Sequence, residues 1–475
     1  MFAAFILLAV NFSPGISGLS GAGQSTIALT LFFLFLLVTE ALPVTLASLL
    51  TIGLIPVFGA REAFYGAVQG FSHPVIFFIL SSFAIAGAIM NVPLPKRILL
   101  FLVKRTKPGF KNILFSMMVA TAVVSFFISN VPACAIMMVI ALEFVNMFEN
   151  GEQKKRAGKI LMIAIPVATM IGGIATPASS SLNLLALSIL YSETGISVSF
   201  VQWMFVGVPL VVVLIPFAWF LMVKVYELPD KPNRTRAYNA PSPECIISQN
   251  EIPIEKFLKK LEAEVNPRFE RRELIVLAAM SLMLVLWLLS SWVESMEIFT
   301  VSVLGAVFLM LPGIEIITPK KFVESINWDI IFISGTVLSL AAAFIQNGVS
   351  EWLLELFLNI NLDLHVSLLV GIAALSAFLL LTVFTSAPAL ITVLAAPFVA
   401  VALAGGIPPG FLIIALAICS GNCYLLPLDT VQLITYSKGY YSMTDMGKST
   451  VFLQLALIVL LALWIPFAGE IVGIN

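Results

Sequence analysis

Residues 123–142 read VVSFFISNVPACAIMMVIAL, an almost wholly apolar stretch whose middle is Ser129-Asn130-Val131-Pro132. A polar pair and a proline are unfavourable inside a membrane helix, because proline removes a backbone hydrogen bond and polar side chains lose their hydration there. We therefore expect the helix to break at this point. Irregular backbone at membrane depth is tolerated only where protein or a water-filled cavity surrounds it.

The composition indicates that lipid is the solvent of this chain. Its 475 residues are 60% hydrophobic and only 11% charged, and the mean hydropathy is +1.06. A soluble protein cannot bury so much apolar surface, so we expect the lipid bilayer to surround the chain. The net charge of -1 does not indicate a nucleic-acid partner. The four cysteines and two histidines follow no spacing typical of a metal site, so neither a cofactor nor catalytic residues are expected.

Hydropathy and length locate the membrane spans. A helix needs roughly 20 apolar residues to cross the hydrocarbon core of a bilayer. Eleven segments approach this requirement, namely residues 1–17, 25–39, 42–58, 73–92, 160–190, 200–227, 273–293, 298–314, 326–347, 410–436 and 449–470. Two further apolar stretches, 113–146 and 366–402, are too long for one span and are interrupted near their centres.

The distribution of charge predicts the topology of these two stretches. Of the 25 Lys and Arg residues, 19 fall within residues 94–113, 148–160 and 229–272, which indicates that these segments are cytoplasmic. Two of them flank residues 113–146, so this stretch is expected to enter and leave on the cytoplasmic side as a re-entrant hairpin. Residues 366–402 have flanks without Lys or Arg and are expected to enter from outside. With eleven spans, the N-terminus is expected to be cytoplasmic and the C-terminus external.

Three blocks of the first half recur in the same order in the second half. The pairs are 73–91 with 328–347, 123–141 with 380–398, and 172–188 with 421–437. Because charge places the two hairpins on opposite sides of the membrane, we expect an inverted repeat. Such repeats with paired broken helices are typical of secondary transporters, whose substrate site lies near the membrane midplane.

The predicted fold is thus all-α and polytopic, with about 11 transmembrane helices plus two re-entrant hairpins in an inverted repeat. Its parts are N-terminal scaffold spans (1–92), a first repeat (93–227) with hairpin 113–146 and broken helix 160–190, a cytoplasmic polar linker (228–272), further scaffold spans (273–347), and a second repeat (348–475) with hairpin 366–402 and broken helix 410–436.

Polar side chains at the two hairpin tips are the first candidates for a binding site. Ser129 and Asn130 lie at the first tip, and Ser125 lies one helical turn before Ser129 on the same face. Thr382 precedes Ser386 at the second tip in the same way. Small hydroxyls beside free half-helix ends would bind an anion and a cation. Alternatively, each hydroxyl bonds the carbonyl four residues earlier in its own helix.

Glycine and proline predict breaks inside the two long spans 160–190 and 410–436. The first break contains Gly172, Gly173, Thr176 and Pro177, and the second contains Gly421, Asn422 and Pro427. The polar residues after the breaks are Ser179, Ser180 and Asn183 in the first span and Asp429 and Thr430 in the second.

Taken together, these features resemble the divalent anion/sodium symporter family, which carries dicarboxylates, citrate and sulfate. The resemblance covers nearly the whole chain and includes TEALP (39–43), LSLAAAF (338–344) and GYYSMTDMGK (439–448). It implies a homodimer in the inner (plasma) membrane that works by an elevator-like movement, with Na+ as a coupling ion.

The resemblance also implies two overlapping sets of site residues. The positions that would contact substrate are Ser129, Asn130, Val131, Ser180, Ser386, Ala387, Pro388 and Thr430. The positions that would bind the cation are Ser125, Ser129, Asn130, Ser179, Thr382, Thr385 and Asp429. Both tips depart from the family's Ser-Asn-Thr, because Val131 stands for Thr and Ala387-Pro388 stand for Asn-Thr. With fewer donors for the anion, a substrate that is smaller, less charged or more apolar than succinate is expected.

Asp429 is a candidate on physical grounds as well. An ionisable residue near the membrane midplane is costly and by default functional. Asp429 would neutralise a bound sodium ion or carry a proton, and the loss of polar groups from the second tip favours the proton. The alternative is that its carboxylate caps the helix that follows the break.

We therefore expect a secondary active transporter that moves a small anion by alternating access, coupled to Na+ or H+. A sulfate or other inorganic oxyanion carrier and an uncoupled anion exchanger are alternatives within this class. A channel or an intramembrane enzyme is a different class, but a channel needs a pore lined by charged or carbonyl rings, and the sequence contains no assembled catalytic group. The sequence does not distinguish the anion, the coupling ion or the stoichiometry.

Overall fold

The structure is a computed structural model of the 475-residue chain. It describes the chain except residues 1, 12, 14, 16, 40, 62, 230–251, 294–296, 359–363, 384–386, 428 and 475. Within its helices, the side chains of residues 2–6, 38, 356–358 and 382–383 are also outside the description. All regular secondary structure in the described residues is helical, which confirms the predicted all-α class.

The helices of the first half follow the predicted segments closely. They are α1 (Phe2–Asn11), α2 (Gly21–Thr39), α3 (Val44–Val57), α4 (Phe64–Ala67), α5 (Pro74–Met90), α6 (Leu94–Lys104), α7 (Phe110–Phe127), α8 (Asn130–Val145), α9 (Gly151–Gly172), α10 (Ser181–Thr194) and α11 (Phe200–Val225). Short 3-10 helices, Gln69–Ser72 and Pro177–Ser179, precede α5 and α10.

The second half has the same order of elements. Its helices are α12 (Ile254–Glu264), α13 (Arg271–Leu289), α14 (Ile298–Met310), α15 (Pro319–Ser325), α16 (Trp328–Gln346), α17 (Val349–Leu358), α18 (Val366–Val383), α19 (Ala387–Ala404), α20 (Pro409–Gly421), α21 (Thr430–Tyr436) and α22 (Met443–Val472). Helix α12 lies in the predicted polar linker.

The first tip has the break that its sequence predicts. Helix α7 ends at Phe127, Ile128 and Ser129 are extended, and α8 begins at Asn130. Pro132 therefore lies in the first turn of α8, where a missing N–H costs no helical hydrogen bond. The Phe110 ring at the start of α7 stacks on Phe144 at the end of α8, with 6.4 Å between centroids. The two helices thus form a closed hairpin.

The two long predicted spans, 160–190 and 410–436, are both broken helices. Helix α9 ends at Gly172, and α10 begins at Ser181 after a short 3-10 turn. Helix α20 ends at Gly421, and α21 begins at Thr430. In each case Gly and Pro supply the interruption, and a polar residue caps the helix that follows.

The same pattern of helix contacts occurs in both halves. In the first half α9 packs on α7 and α8, as α20 packs on α18 and α19 in the second. The C-terminal half-helices cross between the halves, because α10 packs on α19 and α21 packs on α8. Helix α3 likewise packs on α16, and α14 on α5. The two halves are therefore interleaved around the two breaks.

Length and composition identify the helices that can cross a bilayer. Six described helices qualify, namely Phe110–Phe127, Phe200–Val225, Arg271–Leu289, Trp328–Gln346, Ala387–Ala404 and Met443–Val472. Helices α5 and α6 qualify as a pair bent by 61°. Helix α1 spans about 15 Å and is too short to cross alone. The protein is a multi-pass membrane protein, and the number of eleven spans stays a prediction.

A cluster of aromatic and charged residues closes the base of the first hairpin. The Phe257 ring of α12 packs 4.9 Å from the Phe144 ring of α8. Glu143 beside it pairs with Lys96 of α6 at 3.4 Å and with Lys260 of α12 at 3.2 Å. The base of this hairpin is thus attached to two amphipathic helices, and its tip lies at the other end, against the first break.

Candidate substrate and cation site

The tip of the first hairpin makes a buried polar contact with the first broken helix. The Ser125 hydroxyl lies 2.9 Å from Asn130 Oδ1 and 2.8 Å from the Thr169 carbonyl of α9. Ser125 is fully buried, and Asn130 is 8% exposed. A hydroxyl has one hydrogen to donate, so the two acceptors share it. Three oxygen atoms from three helices therefore meet without a fixed charge.

Glycine at the first break makes this contact sterically possible. A Cβ on Gly173 would lie 2.3 Å from Asn130 Oδ1, and one on Gly172 would lie 2.6 Å from the Ala122 carbonyl. Gly173 has a φ of -64°, which any residue adopts. Glycine is needed here for space, because the hairpin tip occupies the volume where a side chain would lie.

The first break satisfies its carbonyl groups with short polar side chains. Ser179 Oγ lies 2.8 Å from the Gly173 carbonyl and 2.6 Å from the Thr176 carbonyl. Asn183 Nδ2 donates to the same two carbonyls at 2.9 and 3.1 Å. Ser180 caps α10 by accepting the Leu182 N–H at 3.3 Å. The predicted residues Ser179 and Ser180 are thus parts of one turn.

Helix α11 supports the first break from behind. The buried Trp203 indole donates to the Ile174 carbonyl at 2.9 Å. A Cβ on Gly207 would lie 2.3 Å from the same carbonyl oxygen. The turn between α9 and α10 is therefore held between the hairpin tip on one side and α11 on the other.

Helix α8 begins at the tip with its N-terminus uncapped. Ser129 occupies the N-cap position, but its side chain makes no capping hydrogen bond there. Ser129 and Val131 are partly buried. Backbone N–H groups at the start of a helix carry partial positive charge and favour anions. The tip thus places uncharged oxygen atoms beside a helix N-terminus that has no side-chain cap.

The second break is built from larger side chains. Asn422 Nδ2 donates to the Ile418 carbonyl at 2.8 Å, and the Tyr424 hydroxyl donates to Asn422 Oδ1 at 2.7 Å. Gln432 Nε2 donates to the Cys423 carbonyl at 2.7 Å. Helix α22 supports the break from behind through Gln454, whose Oε1 accepts the Tyr424 N–H at 3.1 Å.

Asp429 is the N-cap of α21. Its Oδ1 accepts the Val431 N–H at 2.8 Å, and Gln432 Oε1 accepts the Asp429 N–H at 3.3 Å, which completes a reciprocal capping box. The capping alternative therefore has direct geometric support. The expected role of Asp429 in cation handling stays a prediction.

The two breaks lie side by side. Leu182, just after the first break, would lie 3.6 Å from a Cβ on Gly421 at the second. Cys134 of the first hairpin donates its thiol to the Val431 carbonyl of α21 at 3.3 Å. The first tip and both breaks consequently form one polar region within an apolar helix bundle.

The structure places most of the sequence-predicted residues in this region. Ser125, Asn130, Ser179 and Ser180 are buried around the first break, and Ala387 and Pro388 begin α19. Thr430 is exposed at the start of α21. Ser386, Thr385 and the side chain of Thr382 lie outside the described residues.

Several side chains that hold the breaks are absent from the two predicted sets of site residues, among them Asn183, Trp203, Asn422, Tyr424, Gln432 and Gln454. Gln454 had a sequence signal, because a glutamine within the apolar run FLQLALIVLL is costly in a membrane unless it has a partner. Trp203 and Tyr424 had none, because aromatic residues are common in apolar spans. Among the described residues, no group of three or more His, Cys, Asp or Glu side chains is arranged to hold a metal ion.

Curated relatives match nearly the whole chain. A sodium-dependent dicarboxylate transporter, SdcS, of Staphylococcus saprophyticus is 27% identical over 494 residues, covering 99% of this chain and 91% of the relative. SdcS of Staphylococcus aureus is 26% identical over 493 residues, covering 98% and 90%.

Two solved transporter structures share the fold. The YdaH transporter of Alcanivorax borkumensis superposes with a TM-score of 0.60 at 14% identity, covering 93% of this chain and 98% of that one. MtrF of Neisseria gonorrhoeae, from a class of antimetabolite efflux pumps, superposes with a TM-score of 0.57 at 13% identity, covering 98% and 97%.

The family model described as citrate transporter matches residues 34–468, which include both hairpins and both breaks. The match covers most of the chain, so its function is membrane transport and not enzymatic catalysis. The chain belongs to the citrate transporter family.

Proposed function

We propose that the protein imports a small dicarboxylate across the cytoplasmic membrane, driven by a sodium gradient. The observation that carries the proposal is the buried contact of Asn130 with the first break, at the position where Gly173 leaves room for it. This contact gathers uncharged oxygen atoms beside an uncapped helix N-terminus. The names of the relatives, sodium-dependent dicarboxylate transporters, support the same substrate class and the same ion.

Sodium would bind at the junction of tip and break. Ser125, Asn130 and the Thr169 carbonyl supply the oxygen atoms, and unwound carbonyls beside half-helix ends are the usual sodium ligands in secondary transporters. When the Ser125 hydrogen turns toward one acceptor, the other oxygen atoms keep lone pairs for a cation. A bound cation would hold the tip against the break.

The dicarboxylate would bind beside the cation, at the starts of α8 and α10. Ser129 and Ser180 are the hydroxyl groups at these two positions, and a helix N-terminus favours a carboxylate by about 0.3–1 kcal/mol even when exposed. The cation neutralises part of the substrate charge, so each ligand raises the affinity for the other. This reciprocity is the physical basis of coupled transport.

Alternating access would follow from an inverted repeat. The paired hairpins, the paired breaks and the crossed packing of α10 and α21 support two halves of opposite orientation. We propose an elevator-like movement of the hairpins and breaks in a homodimer, with a cytoplasmic N-terminus and an external C-terminus. Site-directed cysteine labelling of Lys107→Cys and Lys154→Cys tests the orientation, since both positions should be reactive from the cytoplasm.

Asp429 has a proposed second role as a proton carrier. Its carboxylate caps α21 beside the polar region, and a permanent negative charge there would repel an anion. Protonation on substrate binding would remove that repulsion. In this role Asp429 would carry one proton in each transport cycle, in addition to the sodium ion bound at the first break.

Uptake of labelled succinate into proteoliposomes tests the proposal. An inward sodium gradient should drive accumulation, whereas an equal potassium gradient should not. Citrate, malate and sulfate, added unlabelled, rank the substrates by competition, and a pH gradient alone tests the proton alternative. Saturable counterflow without any cation dependence would indicate an exchanger, and flux that does not saturate would indicate a channel. Either result contradicts the proposed coupling.

A further inference from the structure

The two breaks can be compared position by position from their geometry. Gly172 and Gly421 each end the first half-helix, and Ser180 and Asp429 each cap the second. These caps follow the two glycines at the same separation along the chain. Position 173 therefore corresponds to position 422, and position 175 corresponds to position 424.

The hairpin tips can be compared in the same way. Helix α8 begins at Asn130, directly after Ser129, and α19 begins at Ala387, directly after residue 386. Asn130 thus corresponds to Ala387. In the first half the asparagine is on the hairpin and glycine is on the break. In the second half alanine is on the hairpin and Asn422 is on the break. The amide has exchanged places between the two elements.

The Asn422 amide donates to the carbonyl that corresponds, in the first half, to the carbonyl contacted by Ser125 of the hairpin. In the first half the Thr169 carbonyl accepts from Ser125 of the hairpin at 2.8 Å. Its counterpart, the Ile418 carbonyl, accepts from Asn422 Nδ2 of the break itself at 2.8 Å. The Thr169 carbonyl thus accepts from the hairpin in addition to the Gly173 N–H at 2.9 Å, whereas the Ile418 carbonyl accepts from a side chain of its own break.

The oxygen of the Asn422 amide has a partner that is a large buried side chain. Asn422 Oδ1 accepts from the Tyr424 hydroxyl at 2.7 Å, and both residues are buried, at 4% and 0% exposure. Tyr424 is held in place because its N–H donates to Gln454 at 3.1 Å and its carbonyl accepts from Thr450 at 2.7 Å. The position that corresponds to Tyr424 in the first break is the small residue Ala175.

We infer that the second break is closed to sodium by the Asn422–Tyr424 pair, so that one sodium ion, bound at the first break, accompanies each substrate molecule. The inference rests on the proposed sodium-coupled function and specifies its stoichiometry. In the first half a hydroxyl with two acceptors leaves oxygen atoms for a cation. In the second half the buried phenol of Tyr424, held by α22, lies against the amide oxygen, and Ala387, the described residue that corresponds to Asn130, has only a methyl group.

The stoichiometry is measured with the wild-type protein in proteoliposomes. Uptake of 22Na and of labelled succinate, recorded together, should give a ratio near 1, and the sodium dependence should give a Hill coefficient of about 1. A ratio of two or more with intact uptake overturns this inference alone. Uptake that does not depend on sodium overturns the proposed coupling and the inference with it, so the two failures are distinguishable.

A matched pair of variants tests the assignment of the ion to one break. Asn130→Ala should raise the sodium concentration for half-maximal uptake by about tenfold or more, which corresponds to about 1.4 kcal/mol. Asn422→Ala should leave this concentration within about twofold of the wild type. If Asn422→Ala weakens sodium as much as Asn130→Ala does, the second break binds sodium and the inference is wrong.

A triple variant copies the first site into the second half. Ala387→Asn, Asn422→Gly and Tyr424→Ala together reproduce the residues at positions 130, 173 and 175. This variant should bind a second sodium ion and raise the Hill coefficient to about 2. If the triple variant does not fold, the single substitution Tyr424→Phe is used in its place. Phenylalanine keeps the buried ring and removes the hydroxyl that donates to Asn422. Sodium should then stabilise Tyr424→Phe against heat at least as much as the wild type, and weaker stabilisation would contradict the inference.

Discussion

The first and second breaks of this protein interrupt comparable helices but satisfy their backbone in different ways. At the first break the hairpin tip enters the space beside glycine, and polar atoms from separate elements meet. At the second break the large side chains Asn422, Tyr424 and Gln432 bond to the break itself or to each other. In the first half the amide belongs to the hairpin tip and meets the break, whereas in the second half the amide of Asn422 belongs to the break itself. This difference is the basis of our proposal that sodium binding at the first break is coupled to hairpin movement.

The largest effect is expected for Asn130→Ala. The variant removes the only amide that the first tip places against the break, and it leaves Ser125 with the Thr169 carbonyl as its partner. We expect sodium-driven uptake to fall by about 100-fold, since loss of a buried polar partner costs about 1–3 kcal/mol. Thermal unfolding of purified protein without sodium is the control and should change little. Normal uptake by Asn130→Ala would show that the tip is structural.

A second prediction compares alanine at the two glycines that adjoin the breaks. In Gly173→Ala the new Cβ would lie 2.3 Å from Asn130 Oδ1, whereas in Gly421→Ala the nearest atom in the described part of the chain is 3.6 Å away. We expect Gly173→Ala to reduce uptake by about tenfold or more, because the tip must move away from the break. Gly421→Ala is the matched control and should transport within about twofold of the wild type. Equal effects of the two substitutions would contradict the difference between the breaks.

A third prediction concerns the helices that support the breaks. Trp203→Phe keeps an aromatic ring and removes the hydrogen bond to the Ile174 carbonyl, so it should lower the free energy of unfolding by about 1–3 kcal/mol. The sodium affinity of Trp203→Phe should also fall, because the Ile174 carbonyl directly follows Gly173, which adjoins Asn130. Gln454→Leu should destabilise the protein similarly without changing the sodium affinity. Denaturation curves and sodium titrations of uptake measure both effects, and a loss of sodium affinity in Gln454→Leu would contradict the prediction.

The smallest effect is expected for Asp429→Asn. Asparagine caps a helix about as well as aspartate, so folding and the sodium-to-substrate ratio should stay as in the wild type. If Asp429 carries a proton, the variant should lose the pH dependence of uptake measured at a constant concentration of the substrate dianion. An unchanged pH profile would mean that Asp429 acts only as the cap of α21.

Much of the fold could be predicted because its signals are local. Pro132 and Ser129-Asn130 indicated a break, and α7 ends at Phe127, three residues before Asn130, as that break requires. Gly172 and Gly421 indicated the ends of two half-helices, and the helices end at these residues. The residues Ser125, Asn130, Ser179 and Ser180 were predicted to belong to one site and are buried around the same break.

The partners of these residues could not be predicted in the same way. Ser125 bonds to Thr169, which is 44 positions further along the chain, and Tyr424 bonds to Gln454, which is 30 positions away. A hydropathy or spacing pattern contains no information on which of many apolar helices will lie beside a break. Aromatic residues such as Trp203 look like ordinary membrane residues until a carbonyl lies beside their polar atom.

Three properties follow from the amino-acid sequence alone: the chain lies in lipid, its helices have defined positions, and two of its long spans are interrupted. Hydrophobicity, proline and glycine indicate these properties because their effects are local in the chain. The partners of the two asparagines follow from the packing of the helices: Asn130 meets the first break, whereas Asn422 bonds to a carbonyl of its own broken helix. That choice depends on whether glycine leaves space for a neighbouring element or a tyrosine fills it. The difference between the two breaks is a property of packing, and packing is settled only when all the helices are in place.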